Sequence, residues 1–378
     1  MARASLQNLP IFLDEDLQGA DETLHLNHLL LMGAISPCKS VESVYTLRRS
    51  IAEIKRRLSD AGDSLRSDNG DGQLVEFAKS HLVAELDQIA GSLSVERAQY
   101  YVERLLKGIS ETVTSPINDI NLNRWKEYDD IYTDSLWLID RRDNSGVHAA
   151  GYWGNFVPQI PHQTMLRYTK KGDWVLDTFA GSGTTLIEGQ RLGRNTIGIE
   201  LQFRMVEQAR NLVASEPNRY NITSDIICSD CVTADYQAIL GKHGQRSVQL
   251  VVMHPPYHDI IKFSDDPRDL SNASCAEEFL TLMGRAVANA MPFLDEGRYL
   301  VLVIGDKYSK GEWIPLGFLT MNEILRLGFS LKSIVVKNFE DTAGKRNQKE
   351  LWRYRALVGG FYIFKHEYIF VLRKGRAR

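Results

Sequence analysis

The sequence has few cysteines, no long apolar run and little net charge, and each shortage excludes a class of protein. Only 4 of the 378 residues are cysteine, which is too few for a disulfide framework and indicates a reducing compartment. No apolar run reaches the roughly 18 residues that cross a bilayer, and residues 1–18 lack the core and cleavage pattern of a signal peptide. We therefore expect a cytoplasmic protein that does not enter a membrane.

The formal net charge is −3, so any nucleic-acid binding has to come from a local basic patch. Hydrophobic residues make up 43% and charged residues 25%, which is typical of a folded globular protein. Cys228 and Cys231 have the spacing of metal ligands, but no second pair accompanies them. We therefore expect no zinc site.

Helical periodicity dominates the first third of the chain. Apolar residues recur every three or four positions over 41–58 and over 95–109, with charges between them, which predicts amphipathic helices. The domains that we predict are a loose arm, a helical region and a larger second domain, over residues 1–20, 21–114 and 115–378.

In the second domain, short apolar strands alternate with amphipathic helices. The alternation predicts an α/β fold with a doubly wound, mostly parallel sheet covered on both faces. The last strand, over 366–374, follows its predecessor through a long loop, so we expect it to be antiparallel. Residues 135–140 are predicted to form an extra strand or part of a cover over the site.

A glycine-rich turn follows the strand that ends at Asp177, at the edge where parallel sheets bind ligands. Gly181 and Gly183 permit a close approach that a Cβ would block, and the helix that follows presents free N–H groups to an anion. Glu200 and Asp230 end the next two strands, where their carboxylates suit a ribose diol and an adenine amino group. The turn predicts a site for a nucleoside amino-acid cofactor, formed by Asp177, Phe179, Ala180, Gly181, Ser182, Gly183, Thr184, Glu200 and Asp230.

A second motif, His254-Pro255-Pro256-Tyr257, follows directly after a buried strand. An exocyclic amino group is a weak nucleophile, and acceptors for its two N–H bonds make its nitrogen more reactive. The predicted acceptors are the His254 side chain and the Pro255 carbonyl, held in place by two prolines, while Tyr257 offers a face for stacking on an extruded base. Because only a neutral imidazole accepts, an unperturbed pKa predicts that turnover falls below about pH 6.5.

The two motifs together resemble those of the S-adenosylmethionine-dependent DNA amino-methyltransferases, which modify adenine N6 or cytosine N4. Residues 177–185, D-T-F-A-G-S-G-T-T, are similar to motif I of that family. Residues 151–173 are similar to its motif X, which would place Phe156 and Pro158 in the segment that covers the methionine end of the cofactor. The resemblance covers about residues 135–374, although the family's catalytic motif usually begins with Asp, Asn or Ser and this one begins with His254.

The resemblance implies a Rossmann-like methyltransferase that acts on a flipped base of double-stranded DNA, with adenine N6 favoured over cytosine N4. It also implies a place in restriction-modification or phage defence. RNA and protein N-methyltransferases share a related Pro-Pro-Tyr slot, so these substrates stay open as alternatives. A methyltransferase-fold subunit that is active only with a partner is another, because the helical region has no assigned role and can read DNA, dimerise or dock.

Target recognition has two candidate locations, because only about 50 residues separate Glu200 from His254. One is the helical region, and the other is the loop over 340–361. From Lys332 to Arg378 the chain has 12 lysines and arginines against 4 acids, which favours contacts with phosphates and bases. The predicted nucleic-acid contacts are Lys262 and Arg268 beside the slot, and Lys345, Arg346, Lys349, Trp352, Arg353 and Arg355 in the loop.

Overall fold

The computed structural model describes residues 22–60, 62–66, 73–148, 154–339 and 349–375. They form two compact units, of which the smaller takes the chain up to Val113 together with Asn121–Tyr128, and the larger takes Thr114–Ile120 and the chain from Asp129 onwards. The arm predicted over 1–20 lies outside the described residues. The predicted division into domains stays a prediction.

The smaller unit combines helices with one pair of strands: β1 Thr23–Asn27, α1 His28–Ile35, α2 Val44–Ser59, β2 Leu74–Ala78, α3 Lys79–Ala90 and α4 Val95–Ser110. Helices α2 and α4 coincide with the two periodic segments, and their apolar residues form the core of the unit. The antiparallel pair β1–β2 was not predicted. Its signal is the alternation of buried Leu24 and Leu26 with exposed neighbours. This alternation is short and adjoins a helical pattern, so it is easily missed.

The larger unit alternates strands and helices along the chain. Its elements are β3 Leu136–Trp137, α5 Gln159–Tyr168, β4 Trp174–Asp177, α6 Thr184–Leu192, β5 Asn195–Glu200, α7 Phe203–Ser215, β6 Ser224–Cys228, α8 Tyr236–Gly241, β7 Val248–Met253, α9 Ala276–Ala290, β8 Leu294–Ile304, β9 Lys307–Ser309, β10 Glu312–Ile314, α10 Leu316–Arg326, β11 Phe329–Asn338, α11 Lys349–Gly359 and β12 His366–Lys374.

Eight of these strands form one sheet in the order β3-β11-β12-β8-β7-β4-β5-β6. Strand β12 is antiparallel to both of its neighbours, whereas the other pairs in the sheet are parallel. The predicted fold class and the antiparallel last strand are therefore confirmed. The segment 135–140 supplies the extra strand β3, which pairs with β11.

Apolar side chains cover both faces of the sheet. On β4, Leu176 packs into a cluster with residues of α8, α9 and α10, while its neighbour Val175 packs into a cluster with residues of α5. Helices α6 and α7 pack together beside β6. Because successive strand residues face opposite sides, the near-continuous apolar runs in these strands are explained by burial on both faces.

The segment between the last two strands differs from the prediction of a loop, because residues 349–359 form helix α11. Lys345 and Arg346, two of the predicted nucleic-acid contacts, lie outside the described residues. Across the part of the chain that the structure describes, no helix has the length and apolar character needed to span a membrane.

Candidate active site

A cleft of about 740 Å³ lies at the carboxyl ends of β4 and β7. Strand β4 has β5 on one side and β7 on the other, and this reversal of strand order is where doubly wound sheets bind ligands. Ten predicted residues line the cleft: Phe156, Phe179, Ala180, Gly181, Glu200, Asp230, His254, Pro255, Pro256 and Arg268. The structure thus brings the glycine turn and the start of the His-Pro-Pro-Tyr motif to one cavity.

The other predicted residues near the two motifs do not line this cleft: Pro158, Asp177, Ser182, Gly183, Thr184, Tyr257 and Lys262. Several of them support residues that do. The carboxylate of Asp177, for example, accepts a hydrogen bond from Phe179 N (2.9 Å), and Thr184 Oγ1 donates to Asn155 Oδ1 (2.6 Å). These contacts connect Asp177 and Thr184 to residues of the lining.

The glycine turn is held by backbone hydrogen bonds to its neighbours. Ala180 N donates to Ile199 O (2.8 Å), and Gly183 N donates to Ala180 O (2.8 Å). Gly183 has φ of 83°, and a Cβ there would lie 3.3 Å from Val213 Cγ2 and 3.4 Å from Ala209 Cβ of α7. Both the left-handed backbone and the close helix require glycine at this position.

Two carboxylates at the strand ends face the cleft. Glu200 accepts hydrogen bonds from Gly181 N (3.0 Å) and from Gln202 N (2.9 Å), and burial raises its pKa above the ordinary value. Asp230 accepts from Val232 N (2.9 Å) and from Thr233 Oγ1 (3.2 Å). Each carboxylate oxygen has a second lone pair, so both residues keep acceptor capacity for a ligand.

Asp177 carries a buried carboxyl group at the end of β4, with 1% of its surface exposed. Burial raises the pKa of this carboxyl to about 6, against smaller opposing effects from the Thr185 side chain and from the hydrogen bond donated by Phe179 N. A pKa so far above the ordinary value is typical of functional sites, where neighbouring groups do not fully compensate the charge of a buried side chain.

A cover over the cleft is formed by the chain before α5 and the loop after β7. Gly154 has φ of 85°, and a Cβ there would lie 2.5 Å from the Phe263 ring, so the two segments approach closely. Phe156 stacks on the His254 ring, with centroids 4.8 Å apart. The covering role predicted for Phe156 matches this placement beside the slot.

His254 is partly exposed and lines the cleft. Its Nε2 lies 3.2 Å from the Tyr257 hydroxyl. Burial lowers the pKa of His254 to about 4, which corrects the expectation that turnover declines near pH 6.5. The sequence-based value assumed a solvated imidazole, and the enclosure penalises the charged form.

Tyr257 is turned away from the cleft. Its hydroxyl donates to Glu367 Oε2 (2.7 Å) on β12, and its ring lies against Gly305, where a Cβ would come within 3.0 Å of Cε2. Stacking of Tyr257 on a base, as predicted, stays a prediction. The described contacts give it a different role, as the link between His254 and a buried carboxylate.

The loop that follows the slot is fixed by a buried polar cluster. His258 has φ of 53°, its Nε2 lies 2.8 Å from Ala273 O, and its Nδ1 accepts from Lys307 Nζ at 3.0 Å. Further along, Lys262 and Arg268 form ion pairs with Asp265 and with Asp266, respectively. Of these two predicted nucleic-acid contacts, Arg268 lines the cleft and Lys262 is exposed.

Helix α11 carries the remaining predicted contacts, of which only the backbone is described for Lys349. Arg353 and Arg355 are exposed, Trp352 is half-buried, and the Arg355 guanidinium lies 5.4 Å from the centre of the Trp352 ring. The chain after this helix packs on the β9–β10 hairpin, through the stacked pair Tyr308–Phe361 and the tilted pair Trp313–Phe364. These contacts attach the basic helix to the larger unit.

Several lining residues were not predicted: Asn155, Thr178, Gln202, Ser229, Phe263 and Asp269. All of these except Gln202 are sequence neighbours of predicted residues and could have been found by extending each motif by one position. Lys337 and Glu367 were also missed, because each lies in a strand that carries other charges, Lys332 on β11 and Arg373 and Lys374 on β12.

Residues 81–211 match the family model described as DNA methylase. Over these residues the chain is similar to the DNA amino-methyltransferases. The methylase match contains the covering segment, the glycine turn and Glu200, and it ends before His254. It confirms the family resemblance without covering the His-Pro-Pro-Tyr motif. The family uses S-adenosylmethionine, which confirms the predicted cofactor.

Individual curated proteins match shorter parts of the chain. Type II methyltransferase M.MthZI of Methanothermobacter thermautotrophicus is 30% identical over 32% of the chain and 32% of its own length. Type II methyltransferase M2.DpnII of Streptococcus pneumoniae is 35% identical over 25% of the chain and 34% of its own length. A tRNA (guanine(10)-N2)-dimethyltransferase of Methanocaldococcus jannaschii is 31% identical over 28% of the chain and 29% of its own length. The chain thus spans about a third of the curated relatives it matches.

Proposed function

We propose that this chain transfers a methyl group from S-adenosylmethionine to the exocyclic amino group of a base in double-stranded DNA. The observation that carries the proposal is the placement of His254 and Pro255 in the same cleft as the Gly181 turn. A cofactor held at the turn and an amino group held at the slot would lie side by side, and positioning of this kind contributes much of the catalysis in group transfer.

The residues around the turn fit the cofactor. Glu200 and Asp230 offer acceptors for ribose hydroxyls and an adenine amino group, and Thr178 Oγ1 is buried at the cleft without a hydrogen-bond partner among the described residues. When bound, S-adenosylmethionine supplies an electrophilic methyl group. The proposed cofactor residues are Phe156, Pro158, Asp177, Phe179, Ala180, Gly181, Ser182, Gly183, Thr184, Glu200 and Asp230.

The slot supplies the chemistry that the amino group needs. The Pro255 carbonyl accepts no backbone hydrogen bond from any described residue, and His254 uses only Nε2 in the described contacts. Two acceptors on the N–H bonds localise the lone pair on nitrogen. The nitrogen would bond to the methyl carbon as the carbon–sulfur bond breaks and S-adenosylhomocysteine leaves, and the amino proton would pass to solvent or to an acceptor of the slot. The proposed catalytic residues are His254, Pro255, Pro256 and Tyr257.

The proposed substrate is a flipped base, with adenine N6 as the first choice and cytosine N4 as the second, within a restriction-modification or defence setting. The base must leave the helix because neither amino group is accessible to a cleft of this kind inside a duplex. The proposed contacts to the nucleic acid are Lys262, Arg268, Lys345, Arg346, Lys349, Trp352, Arg353 and Arg355. The type II methyltransferases among the relatives support this setting.

The test is incubation of the purified chain with labelled S-adenosylmethionine and unmethylated genomic DNA, followed by digestion to nucleosides and mass spectrometry. We expect N6-methyladenine or N4-methylcytosine from the wild type and a decrease of about 100-fold in the His254→Ala variant. Parallel reactions contain total RNA and a protein extract. Label in RNA or protein alone would contradict the DNA proposal, and activity only after addition of a cell extract would indicate a required partner.

A further inference from the structure

A buried ion pair lies behind the slot, in contact with Tyr257. Lys337 on β11 and Glu367 on β12 are directly opposite each other in the sheet and are 5% and 8% exposed. Lys337 Nζ donates to Glu367 Oε1 (3.0 Å), and Glu367 Oε2 accepts from the Tyr257 hydroxyl (2.7 Å). The Tyr257 oxygen lies 3.2 Å from His254 Nε2. The side chains of Lys337, Glu367, Tyr257 and His254 therefore form one continuous hydrogen-bonded row that ends at the cleft.

The charges in this row decide where its protons lie. Burial alone would raise the pKa of Glu367, but the Lys337 ammonium and the hydrogen bonds outweigh it and hold that pKa below its ordinary value. Burial and the neighbouring carboxylate raise the pKa of Tyr257 far above its ordinary value. Glu367 is therefore ionised and can only accept, while Tyr257 keeps its proton and directs it towards Glu367.

Because the Tyr257 hydroxyl donates its hydrogen to Glu367, the Tyr257 oxygen faces His254 as an acceptor. The contact at 3.2 Å then requires a proton on His254 Nε2. In a neutral imidazole the other nitrogen, Nδ1, is left with a free lone pair. This nitrogen makes no hydrogen bond to the described residues, and its ring lines the cleft.

We propose that Lys337 and Glu367 are positioning residues, which act through Tyr257 to hold His254 in the Nε2–H tautomer, with Nδ1 free to accept a hydrogen bond from the target amino group. The inference rests on the proposed function of the slot. Asp, Asn and Ser each carry an oxygen that accepts a hydrogen bond without depending on a tautomer, whereas a histidine offers an acceptor on the cleft side only in one tautomer. The buried pair thus fixes the tautomer in which His254 has an acceptor on the cleft side.

Replacement of Glu367 by glutamine tests the proposal directly, because the isosteric amide can reverse the direction of the hydrogen bonds along the row. Lys337 Nζ requires an acceptor, so the amide oxygen would face Lys337 and the amide NH2 would face Tyr257. The NH2 would donate to the Tyr257 oxygen, and the Tyr257 hydroxyl would then donate to His254 Nε2. The imidazole proton would then lie on Nδ1. The Nδ1–H group would face the amino hydrogen of the target and could not accept it.

The first measurement is the tautomer of His254, observed by nuclear magnetic resonance of the full chain with 15N-labelled histidine. The His254 signals are those that disappear in the His254→Asn variant. We expect Nε2–H in the wild type and Nδ1–H in the Glu367→Gln variant, with no change in the Glu323→Gln variant, whose carboxylate lies on α10 in an ion pair with Arg326. An Nδ1–H tautomer in the wild type would overturn the proposal.

A second variant keeps the test decisive if Glu367→Gln fails to fold. Tyr257→Phe removes the acceptor for Nε2–H, and we expect the single tautomer to give way to a mixture. An unchanged Nε2–H signal in Tyr257→Phe would show that the row does not hold the tautomer, and it would also overturn the proposal.

Kinetics separate positioning from structural support. In Glu367→Gln we expect kcat for methyl transfer to fall by about 100-fold, while the KM for S-adenosylmethionine stays within about twofold because the cofactor residues are untouched. A rise in KM with kcat unchanged would overturn the positioning role. The resonance measurement needs neither cofactor nor DNA. An inactive wild type with the Nε2–H tautomer would therefore contradict the proposed function and leave the tautomer assignment supported.

Discussion

At the scale of single residues, the ring of His254 is enclosed by Phe156 and Tyr257, and this enclosure changes the pH at which it titrates. With a pKa of about 4, the imidazole is neutral from pH 8 down to about pH 5 and can accept a hydrogen bond throughout. We expect methyl transfer to lose the His254 contribution only below about pH 5, with the midpoint near pH 4, measured as initial rates across buffers of constant ionic strength.

The matched control for this profile is His254→Asn, which keeps an acceptor that does not titrate. The ratio of wild-type to variant rate removes the contribution of every other group, including Asp177. We expect the ratio to be constant between pH 8 and pH 5 and to fall below that range. A fall in the ratio centred near pH 6.5 would mean that the imidazole is solvated.

Asp177 is a second residue whose ionisation depends on burial. Its pKa of about 6 in the folded state exceeds the roughly 3.9 of an unfolded chain, so the folded state binds the proton more tightly. Stability from this group is therefore present at low pH and is lost as the pH rises through about 6. We expect the Asp177→Asn variant to have a higher free energy of unfolding than the wild type at pH 7.5, measured by urea denaturation.

The difference between variant and wild type should shrink by about 1 kcal/mol between pH 7.5 and pH 5, because the wild-type carboxyl becomes protonated over that range. Glu323→Gln, which replaces a surface carboxylate on α10, serves as the control and should show no such change. A constant difference would indicate that Asp177 is not titrating in this window.

At the scale of elements, the start of α6 depends on Gly183. The left-handed φ of 83° costs a non-glycine residue about 1–2 kcal/mol, and the close contact with α7 adds to this cost. We expect Gly183→Ala to lower the free energy of unfolding by about 1 kcal/mol more than Gly244→Ala. Gly244 also has a positive φ, of 68°, but a Cβ there would meet nothing within 4 Å.

Urea denaturation of both alanine variants gives this difference directly. Titration of each variant with S-adenosylmethionine shows whether the turn itself has moved, and we expect weaker binding only in Gly183→Ala. An equal decrease in stability in the two variants would mean that α7 does not constrain the turn.

Helix α11 carries a prediction about nucleic acid. Removal of one side chain that binds a phosphate lowers the slope of log affinity against log salt by about 0.9. We therefore expect the double substitution Arg353→Ala and Arg355→Ala to lower this slope by about 2 and to weaken DNA binding, measured by fluorescence anisotropy between about 50 and 200 mM salt. The matched control, Arg326→Ala with Lys332→Ala, removes two other exposed cations of the larger unit. Equal effects of the two pairs would count against α11 as a DNA-binding element.

At the scale of the whole molecule, each unit has a hydrophobic core of its own. The smaller unit buries residues of α1 to α4 and of the β1–β2 pair, and the larger unit buries residues on both faces of its sheet. Since a separate core is what allows a domain to fold as a unit, we expect two unfolding transitions in calorimetry.

S-adenosylmethionine should raise the temperature of only one of these transitions, because the cleft belongs to the larger unit. At about 100 times the Kd, the added stability is about 2.7 kcal/mol. Glu200→Gln is the control, since replacement of one carboxylate oxygen should reduce the shift. A single transition that moves as a whole would show that the two cores unfold together.

The strands and helices of the larger unit could be predicted because their signals are local. The run that became β7 is apolar except for Gln249 and is followed, after His254, by two prolines. The turn after β4 has glycine where the backbone is left-handed. The pair β1–β2 and helix α11 were missed. The first is only five residues per strand, and the second follows a polar stretch that favours a loop assignment.

The same distinction between local and distant determinants applies to the site. The sequence alone determined the glycine turn, the His-Pro-Pro-Tyr motif and the strand ends that carry Glu200 and Asp230, because each depends on a few neighbouring residues. Only the tertiary structure decided that Glu367, 110 positions from Tyr257, contacts its hydroxyl, and that burial lowers the pKa of His254 to about 4. Strand β12 lies between β8 and β11, and this pairing of distant segments sets burial and charge around the slot, which no local pattern encodes.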